Sequence, residues 1–308
     1  MKLVLLCSMI LCPVAAQTDA PSLAGCRMFP SNNVWNADIS TLPAAARSAD
    51  YVASIGADRP LHPDFGPAGI GIPFAVVSGT QAKVSVSFDY ADESDAAGYP
   101  IAPDAPIEGG SDSTGDRHVL VLDSDNCVLF ELFSAYPQSD GSWKAGSGAI
   151  FDLNDNALRP AGWTSTDAAG LPVLPGLVRY DEVASGQIRH AIRFTAPKTR
   201  RAYIWPARHF ASSITDPAYA PMGQRFRLKA TFDTSGFPPD AQVVLQALKA
   251  YGMILADNGS SWFISGAPDD RWNSDTLHTL TRVKGFDFEA IDESALQLIP
   301  NSARVTPQ

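Results

Sequence analysis

Cysteine, positive charge and long apolar runs are all scarce in this sequence. Of its 308 residues only four are cysteine, and 23 Lys and Arg stand against 33 Asp and Glu, a formal net charge of −10. An acidic surface argues against nucleic acid and anionic membranes as partners. No segment supplies the roughly 20 apolar residues that a membrane-spanning helix needs. We therefore expect no nucleic-acid partner and no membrane attachment of the mature chain.

The amino terminus has the pattern of a cleavable secretory signal. Lys2 precedes an apolar run that ends near Val14 and Ala16, and small residues at these two positions suit a signal peptidase that cuts before Gln17. A lipoprotein signal is the alternative, but Leu precedes both cysteines of the run, where lipidation requires a small residue. The sequence predicts a signal peptide over residues 1–16 and a secreted protein, extracellular or periplasmic.

Two cysteines remain after removal of this leader, Cys26 and Cys127. In an oxidising compartment two cysteines usually pair, and this bond would close a loop of about 100 residues. The alternative is a pair of buried free thiols. We expect the disulfide Cys26–Cys127.

Short strands separated by turn residues dominate the rest of the chain. The segments with strand character are residues 74–77, 83–88, 118–123, 127–133, 147–151, 188–195, 202–205, 225–231 and 261–265. Basic and apolar residues alternate over residues 225–230, as in a strand with one solvent-exposed face. This pattern predicts a mainly β fold, a β-sandwich of jelly-roll type.

Two or three peripheral helices accompany these strands. Residues 43–55 and 239–251 have the helical spacing of apolar residues, and residues 275–281 form a third, shorter candidate. No internal repeat and no flexible linker interrupts the chain. The sequence predicts a single β-rich domain over residues 17–308 with its core within 26–290, and a monomer.

Residues 115–133 have the pattern of a β-hairpin with residues 124 and 125 at its tip. In that register His118 faces Glu131, with Cβ atoms about 5 Å apart. A carboxylate beside an imidazole raises the pKa of the His, which suits general acid–base catalysis or metal binding. We predict His118 and Glu131 as catalytic groups. The alternative is a structural pair on a solvated sheet face, and a turn longer by one residue would separate the two side chains.

A helix, an apolar strand and a tight turn follow one another over residues 251–263. Asp257 precedes the turn formed by Asn258 and Gly259, and Trp262 follows that turn. The structural interpretation is a hairpin tip, for which Asp-Asn-Gly is ordinary chemistry. The functional interpretation places Asp257 at the rim of a groove beside Trp262, as a further catalytic carboxylate.

Aromatic and cationic residues follow the predicted strand 202–205 together. An exposed Trp205 can stack on a sugar, and Arg208 and His209 can bind hydroxyl or carboxylate groups. The alternative is that Trp205 packs in the core and Arg208 pairs with an acid. We predict Trp205, Arg208, His209 and Trp262 as substrate-binding residues. His190, on the apolar face of its strand, is predicted to be a buried structural histidine.

Zinc motifs are absent from the sequence, which has no His-Glu-x-x-His and no cysteine pair with metal spacing. We therefore expect no cofactor. Two arrangements stay open: a metal site built from His118, Glu131 and His209, and a structural calcium ion in the acidic loop of residues 89–95. The spacing in that loop is not that of an EF-hand.

Five phrases of the sequence are distinctive: residues 33–36 (NVWN), 61–66 (LHPDFG), 113–118 (STGDRH), 158–165 (LRPAGWTS) and 251–259 (YGMILADNG). Together they resemble an uncharacterised family of secreted bacterial proteins, over nearly the whole mature chain. The resemblance implies one structural unit over residues 26–290. It implies no activity and no catalytic residue.

The combined prediction is a secreted enzyme that acts on a polysaccharide or oligosaccharide, as a glycoside hydrolase or a polysaccharide lyase. A glycosidase needs two carboxyl groups, about 5–5.5 Å apart for retention or about 6.5–9.5 Å for inversion. A lyase would use His118 or a Tyr as base and an Arg to neutralise a uronate. The alternatives are a non-catalytic glycan- or protein-binding module, with an aromatic platform and no convergent carboxylates, and a metal-dependent hydrolase.

Overall fold

Strands outweigh helices in the computed structural model, which describes residues 20–306. The mainly β prediction is therefore confirmed. The predicted signal peptide, residues 1–16, lies outside the described residues. Within residues 20–306, no helix has the length and apolar character needed to cross a membrane.

Fifteen short strands occur in residues 20–306 and form four sheets. They are β1 (Ser22–Leu23), β2 (Cys26–Arg27), β3 (His62–Asp64), β4 (Phe74–Val77), β5 (Val86–Phe88), β6 (Val119–Asp123), β7 (Val128–Phe133), β8 (Tyr136–Pro137), β9 (Trp143–Ala145), β10 (Ser147–Asp152), β11 (Ile192–Ala196), β12 (Arg225–Leu228), β13 (Met253–Asn258), β14 (Phe263–Ser265) and β15 (Phe288–Ala290).

Helices are short and lie between the strands. The α-helices are α1 (Ser48–Ile55), α2 (Tyr180–Ala184), α3 (Pro239–Ala250) and α4 (Ser274–His278). The 3-10 helices are Val34–Asn36, Ala91–Glu93, Leu174–Gly176, Thr279–Arg282, Gly285–Asp287 and Ser294–Leu296.

The helix predicted over residues 239–251 is confirmed as α3. It begins at Pro239, which fits the first helical position because no intrahelical bond needs that N–H. The chain then turns through Gly252, whose φ is +66°. A Cβ at this position would lie 2.2 Å from the Phe226 carbonyl oxygen, so only glycine allows β13 to start here.

One sheet, in the order β10-β7-β6-β4, is covered on both faces. In β6, Leu120 and Leu122 contribute to the main core, whereas Val119 and Val121 contribute to a smaller core. All five residues of β6 are buried. This explains the unbroken apolar run of the strand, which is typical of strands without a solvent-exposed face.

The largest sheet has the order β15-β12-β13-β11-β14-β3 and is mixed. Strand β11 runs parallel to β13 and antiparallel to β14, and β14 runs parallel to β3. A jelly-roll sandwich is built from antiparallel sheets, so the predicted jelly-roll type is not confirmed. The division into a single domain stays a prediction.

The order of this sheet corrects the hairpin interpretation of the Asp257 turn. Strands β13 and β14 flank that turn in the sequence, but β11 lies between them and pairs with both. The turn therefore crosses the end of β11 rather than closing a two-stranded hairpin. This crossing brings Asp257 next to the side chains of β11.

The predicted disulfide is confirmed. Cys26 in β2 is bonded to Cys127, with Cα atoms 5.3 Å apart across a sequence separation of 101 residues. Cys127 immediately precedes β7, so the bond joins the N-terminal segment to the hairpin of β6 and β7. A stable disulfide fits an oxidising, extracellular environment.

Candidate active site

The hairpin of β6 and β7 has a longer turn than the sequence predicts. Leu120, not His118, lies opposite Glu131. The turn spans residues 124–127, and the Asp123 carboxylate accepts hydrogen bonds from the amides of residues 125 and 126. The register is displaced by two residues, so His118 and Glu131 share a face but are not cross-strand partners. The predicted pairing of His118 with Glu131 was wrong.

His118 instead forms an ion pair with Glu108. Its Nδ1 lies 2.6 Å from Glu108 Oε2, and its Nε2 lies 2.9 Å from the Thr166 carbonyl oxygen. Burial alone would lower the pKa of His118, but the hydrogen bond and the charge of Glu108 raise it to about 9. At neutral pH both ring N–H groups are therefore donated within the protein. His118 is 2% exposed and has no free nitrogen for a substrate or a metal ion.

Glu131 is a fully buried carboxylate that serves the backbone. Its oxygens accept hydrogen bonds from the amides of Val173 and Leu174, at 2.9–3.0 Å, and from the Thr166 hydroxyl at 3.0 Å. Burial raises the pKa of Glu131, and these donors act against that rise. The carboxylate caps the 3-10 helix that begins at Leu174. It has no access to solvent, so a direct catalytic contact, as predicted for Glu131, is not available to it.

A cavity of about 370 Å³ opens beside these two buried groups. We call it the site cavity. Its lining residues are Tyr90, Glu93, Asp116, Phe133, Ser147, Thr164, Ser165, Thr166, Asp167, Ala168, His209, Ala211, Asp257 and Asn258. Of the predicted site residues, Asp257 and His209 lie here. Among residues 20–306, no Lys or Arg side chain lines this cavity.

A β-bulge places Asp257 in the site cavity. Leu255 pairs with Phe194, but the next pair is Asp257 with Thr195, so Ala256 is an extra residue in β13. Directly paired residues of parallel strands point to the same side of a sheet, and neighbours alternate. Without the extra residue, Asp257 would share a side with Phe194, which packs in the core. The bulge moves Asp257 to the side of Thr195 and of Arg193.

Behind Asp257, Arg193 joins the two acids of the site. Its Nε donates to Asp167 Oδ2 at 3.2 Å and its Nη1 donates to Ser265 Oγ at 2.6 Å. The remaining nitrogen, Nη2, lies 4.0 Å from Asp257 Oδ2. The Asp167 side chain is fully buried, whereas that of Asp257 is 23% exposed. Asp257 is therefore the acid that a bound molecule can reach.

Both acids favour the protonated form more than an exposed aspartate does. Burial raises the pKa of Asp167 to about 7, with Arg193 acting against the rise and Asp257 adding to it. Burial also raises the pKa of Asp257, and Arg193 acts against this rise as well. Two carboxyl groups around one guanidinium cannot both be fully compensated. This pair can therefore hold a proton close to neutral pH.

His209 and Glu93 lie together in the lining of the site cavity. His209 Nδ1 is 2.9 Å from the Ala168 carbonyl oxygen, and its Nε2 is 4.0 Å from Glu93 Oε2. Glu93 Oε2 also accepts a hydrogen bond from the Thr164 amide at 2.9 Å. The Glu93 side chain is 37% exposed and that of His209 is 26% exposed. Glu93 and Asp257 thus each contribute a partly exposed carboxylate to the site cavity.

The segment of residues 164–169 connects these parts. The Ala168 amide donates to Asp257 Oδ2 at 3.4 Å while its carbonyl contacts His209, and the Ala169 amide donates to the bulge carbonyl of Ala256 at 2.9 Å. Thr166 joins His118 to Glu131. The start of this segment belongs to the distinctive phrase of residues 158–165. Its run of Thr, Ser and Asp was the available signal for a polar hub.

The predicted substrate contact of Trp262 was wrong. Trp262 is fully buried and packs between Phe194 and Phe288, with ring centroids 5.6 and 5.3 Å away. Its indole N–H donates to the Gly56 carbonyl oxygen at 2.8 Å. The ring is therefore a core residue of the largest sheet, and nothing of it faces the site cavity.

Trp205 and Arg208 do not line the site cavity either. The Trp205 indole N–H donates to the Ser302 carbonyl oxygen at 2.8 Å, and the half-buried ring packs against the main core. Arg208 is buried and donates to the carbonyl oxygens of Arg159 and Pro300, at 2.7 and 3.0 Å, and to Asn301 Oδ1 at 2.8 Å. The predicted substrate-binding role is corrected: both residues fasten the C-terminal segment to the fold.

Carboxylates of the acidic loop 89–95 go to separate partners. Asp89 pairs with Lys144 at 3.0 Å, Asp95 pairs with Arg159, and Glu93 faces the site cavity. In the described range 20–306, no group of three or more His, Cys, Asp or Glu side chains is arranged to hold a metal ion. The calcium loop and the site of His118, Glu131 and His209 thus have no assembled ligand set.

A second cavity, of about 440 Å³, lies beside α2. Its buried acid, Glu182, is paired with Arg179 at 2.8 Å and with His190 at 3.1 Å. His190 is fully buried, as predicted. Because Glu182 already has two cationic or hydrogen-bonding partners, this cavity offers less chemistry than the site cavity.

Comparison with known proteins gives no identity: no family model, no curated protein and no solved structure matches this chain. The resemblance to secreted bacterial proteins stays a prediction.

Proposed function

We propose that this protein is a secreted glycoside hydrolase that uses Asp257 as its general acid. The observation that carries the proposal is the position of Asp257, which reaches the site cavity with the Arg193 guanidinium 4.0 Å from its carboxylate. Burial raises its pKa, so it keeps a proton at a higher pH than an exposed aspartate. A carboxyl group of this kind can protonate the leaving oxygen of a glycosidic bond.

Glu93 supplies the second carboxylate that glycosidic hydrolysis needs. It lines the same cavity beside His209, and the Thr164 amide orients it. In hydrolysis the proton of Asp257 goes to the leaving sugar oxygen as the glycosidic bond breaks. The oxygen of a water molecule then bonds to the anomeric carbon, and a proton of that water goes to Glu93 or back to Asp257. The anomeric configuration of the first product tells whether Glu93 acts on water or on the sugar itself.

Charge favours hydrolysis over elimination. A lyase acting on a uronate needs a cation that neutralises the substrate carboxylate as the proton is removed. The ionisable residues around the site cavity in residues 20–306 are Tyr90, Glu93, Asp116, Asp167, His209 and Asp257, with no Lys or Arg. Such a surface repels a uronate and accepts an uncharged sugar.

Export is part of the proposal. The disulfide Cys26–Cys127 is typical of proteins that leave the reducing cytoplasm, and the N-terminal residues have the pattern of a signal peptide. A polysaccharide substrate fits this location because it is too large to enter a cell. Neither nucleic acid nor a membrane surface is a partner in this proposal.

The test is a screen of the purified mature protein on neutral, cationic and anionic polysaccharides, with reducing ends and ultraviolet absorbance of unsaturated products as readouts. Asp257→Asn is expected to lower kcat by about 10²- to 10⁴-fold, the usual contribution of a general acid. Asp116→Asn is the matched control, because Asp116 lines the same cavity but is exposed. Unsaturated products, full activity of Asp257→Asn, or no cleavage of any polysaccharide would overturn the proposal.

A further inference from the structure

A row of three aromatic rings leads away from the site cavity. His209 lines the cavity, and its ring is nearly parallel to that of Phe210, at 7° with centroids 5.8 Å apart. The Phe210 ring lies in turn 6.4 Å from that of Tyr203, at 25°. We call these three rings the aromatic row. It offers a continuous set of similarly oriented rings that starts inside the candidate active site.

The aromatic row is held by the fold and is only partly buried. Phe210 and Tyr203 pack against the main core but remain partly exposed, as does His209. The His209 amide donates to the Ala169 carbonyl oxygen at 3.2 Å, and Tyr203 forms an isolated bridge with Met222. A ring that the fold holds in place loses little conformational freedom when it binds a ligand. The row is therefore suited to contact a ligand that extends beyond the cavity.

Sugar rings have apolar faces that pack on aromatic side chains, and their hydroxyl groups need polar partners. The aromatic row supplies the first kind of contact and the site cavity supplies the second. Because acids line the cavity, it disfavours a sugar that carries a carboxylate. The aromatic row, the polar groups of the cavity and its acidic lining together fit successive units of an uncharged polymer better than they fit a small glycoside.

We propose that the aromatic row binds consecutive sugar units of a neutral polysaccharide and leads the chain into the site cavity. This inference rests on the proposed glycoside hydrolase activity for its substrate class. It adds that Tyr203 and Phe210, which do not line the cavity, set the preference for a polymer over a short substrate.

Tyr203→Ala tests the aromatic row at the ring farthest from the cavity, which leaves the contact of Phe210 with His209 in place. The expected result is a 5- to 10-fold rise in KM for a neutral polysaccharide, about what one ring contact contributes. For a short aryl glycoside kcat/KM stays unchanged. Phe286→Ala is the matched control, because Phe286 is an aromatic residue that is 50% exposed and lies outside the row.

Binding measured without turnover separates this inference from the proposed activity. The Asp257→Asn variant, with and without Tyr203→Ala, is titrated with neutral polymers and with a polyuronate in affinity electrophoresis. Tyr203-dependent binding of a neutral polymer that wild type does not cleave would support the row and refute the hydrolase. Cleavage that depends on Asp257 but is indifferent to Tyr203→Ala, a preference for the polyuronate, or no binding of any polymer would overturn the row.

Discussion

Replacing Glu131 by Ala should destabilise the protein strongly, because Glu131 is a buried acceptor of backbone hydrogen bonds. The change leaves the Val173 and Leu174 amides without acceptors in a buried site, and each such group costs about 1–3 kcal/mol. The Thr166 hydroxyl can rotate to another acceptor, and removal of a buried charge returns part of the loss. The net decrease in the free energy of unfolding should be about 3–4 kcal/mol.

Glu131→Gln separates the hydrogen bonds from the charge. The Gln Oε1 can still accept from both amides, and its amide group can donate to the Thr166 hydroxyl, which turns from donor to acceptor. We expect a loss of only about 1 kcal/mol and no loss of activity, because Glu131 does not line the site cavity.

Urea unfolding at pH 7, followed by tryptophan fluorescence, measures both variants. Asp50→Ala serves as the control, since Asp50 is an exposed acid in a surface ion pair with Arg47, worth at most about 1 kcal/mol. Equal stability of Glu131→Ala and this control would refute the hydrogen-bonding role. A folded Glu131→Gln protein without activity would restore the catalytic assignment that the structure argues against.

Three further predictions concern buried contacts that stabilise the fold. The pKa of His118 is raised above its unfolded value, to about 9. The stabilisation that this gives is complete below about pH 6.5 and disappears as the pH rises through about 9, a decline of roughly 3 kcal/mol in the free energy of unfolding. His118→Gln should abolish this decline when urea unfolding is measured at these pH values. Trp262→Ala should cost about 3–5 kcal/mol, the range for a buried aromatic residue, and should leave KM unchanged in any fraction that folds, whereas a weaker substrate interaction at full stability would return Trp262 to the groove. Cys26→Ser combined with Cys127→Ser should lower stability by about 4–5 kcal/mol, because the loop closed by the bond is long, and calorimetry showing an unchanged melting temperature would contradict this.

The features that local sequence patterns report were predictable. Only two cysteines lie outside the predicted leader, so only one pairing was possible. Alternating apolar residues between turns indicated strands. The apolar spacing after Pro239 likewise gave helix α3 to within one residue. The strands and the helix depend on residues that are close in sequence, and the disulfide depends on there being only two cysteines to pair.

Charged residues in strands were harder to interpret. The alternation over residues 225–230 predicted a solvent-exposed basic face, yet Arg225 is fully buried. Its guanidinium donates to the carbonyl oxygens of Tyr251, Val34 and Ala37 and lies 3.5 Å from Glu293. The alternation of residue types shows only that Arg225 and Phe226 face opposite sides of the strand. It does not tell whether the polar side meets water or a second layer of backbone carbonyls.

The candidate site was predictable only in part, for a similar reason. His209 and Asp257 were singled out from the residues beside them, and both reach the site cavity. Glu93 and Asp167 were missed because their partners are distant in sequence: Glu93 bonds to the amide of Thr164, and Asp167 pairs with Arg193. An acid in a loop shows no local sign of the cation or amide that will orient it.

The bulge at Ala256 is the part of the site for which the sequence offers no signal at all. Residues 253–256 are uniformly apolar and buried, so either alternation places an apolar side chain against the core, and the pattern does not define the register at Asp257. The structure resolves the choice with polar contacts. The Ala256 carbonyl accepts the Ala169 amide, and Asp257 reaches Arg193. A buried guanidinium on β11 has to be compensated, and the unbulged strand would turn Asp257 away from it. The position of the proposed general acid therefore depends on contacts with neighbouring segments rather than on the apolar pattern of the strand that carries it.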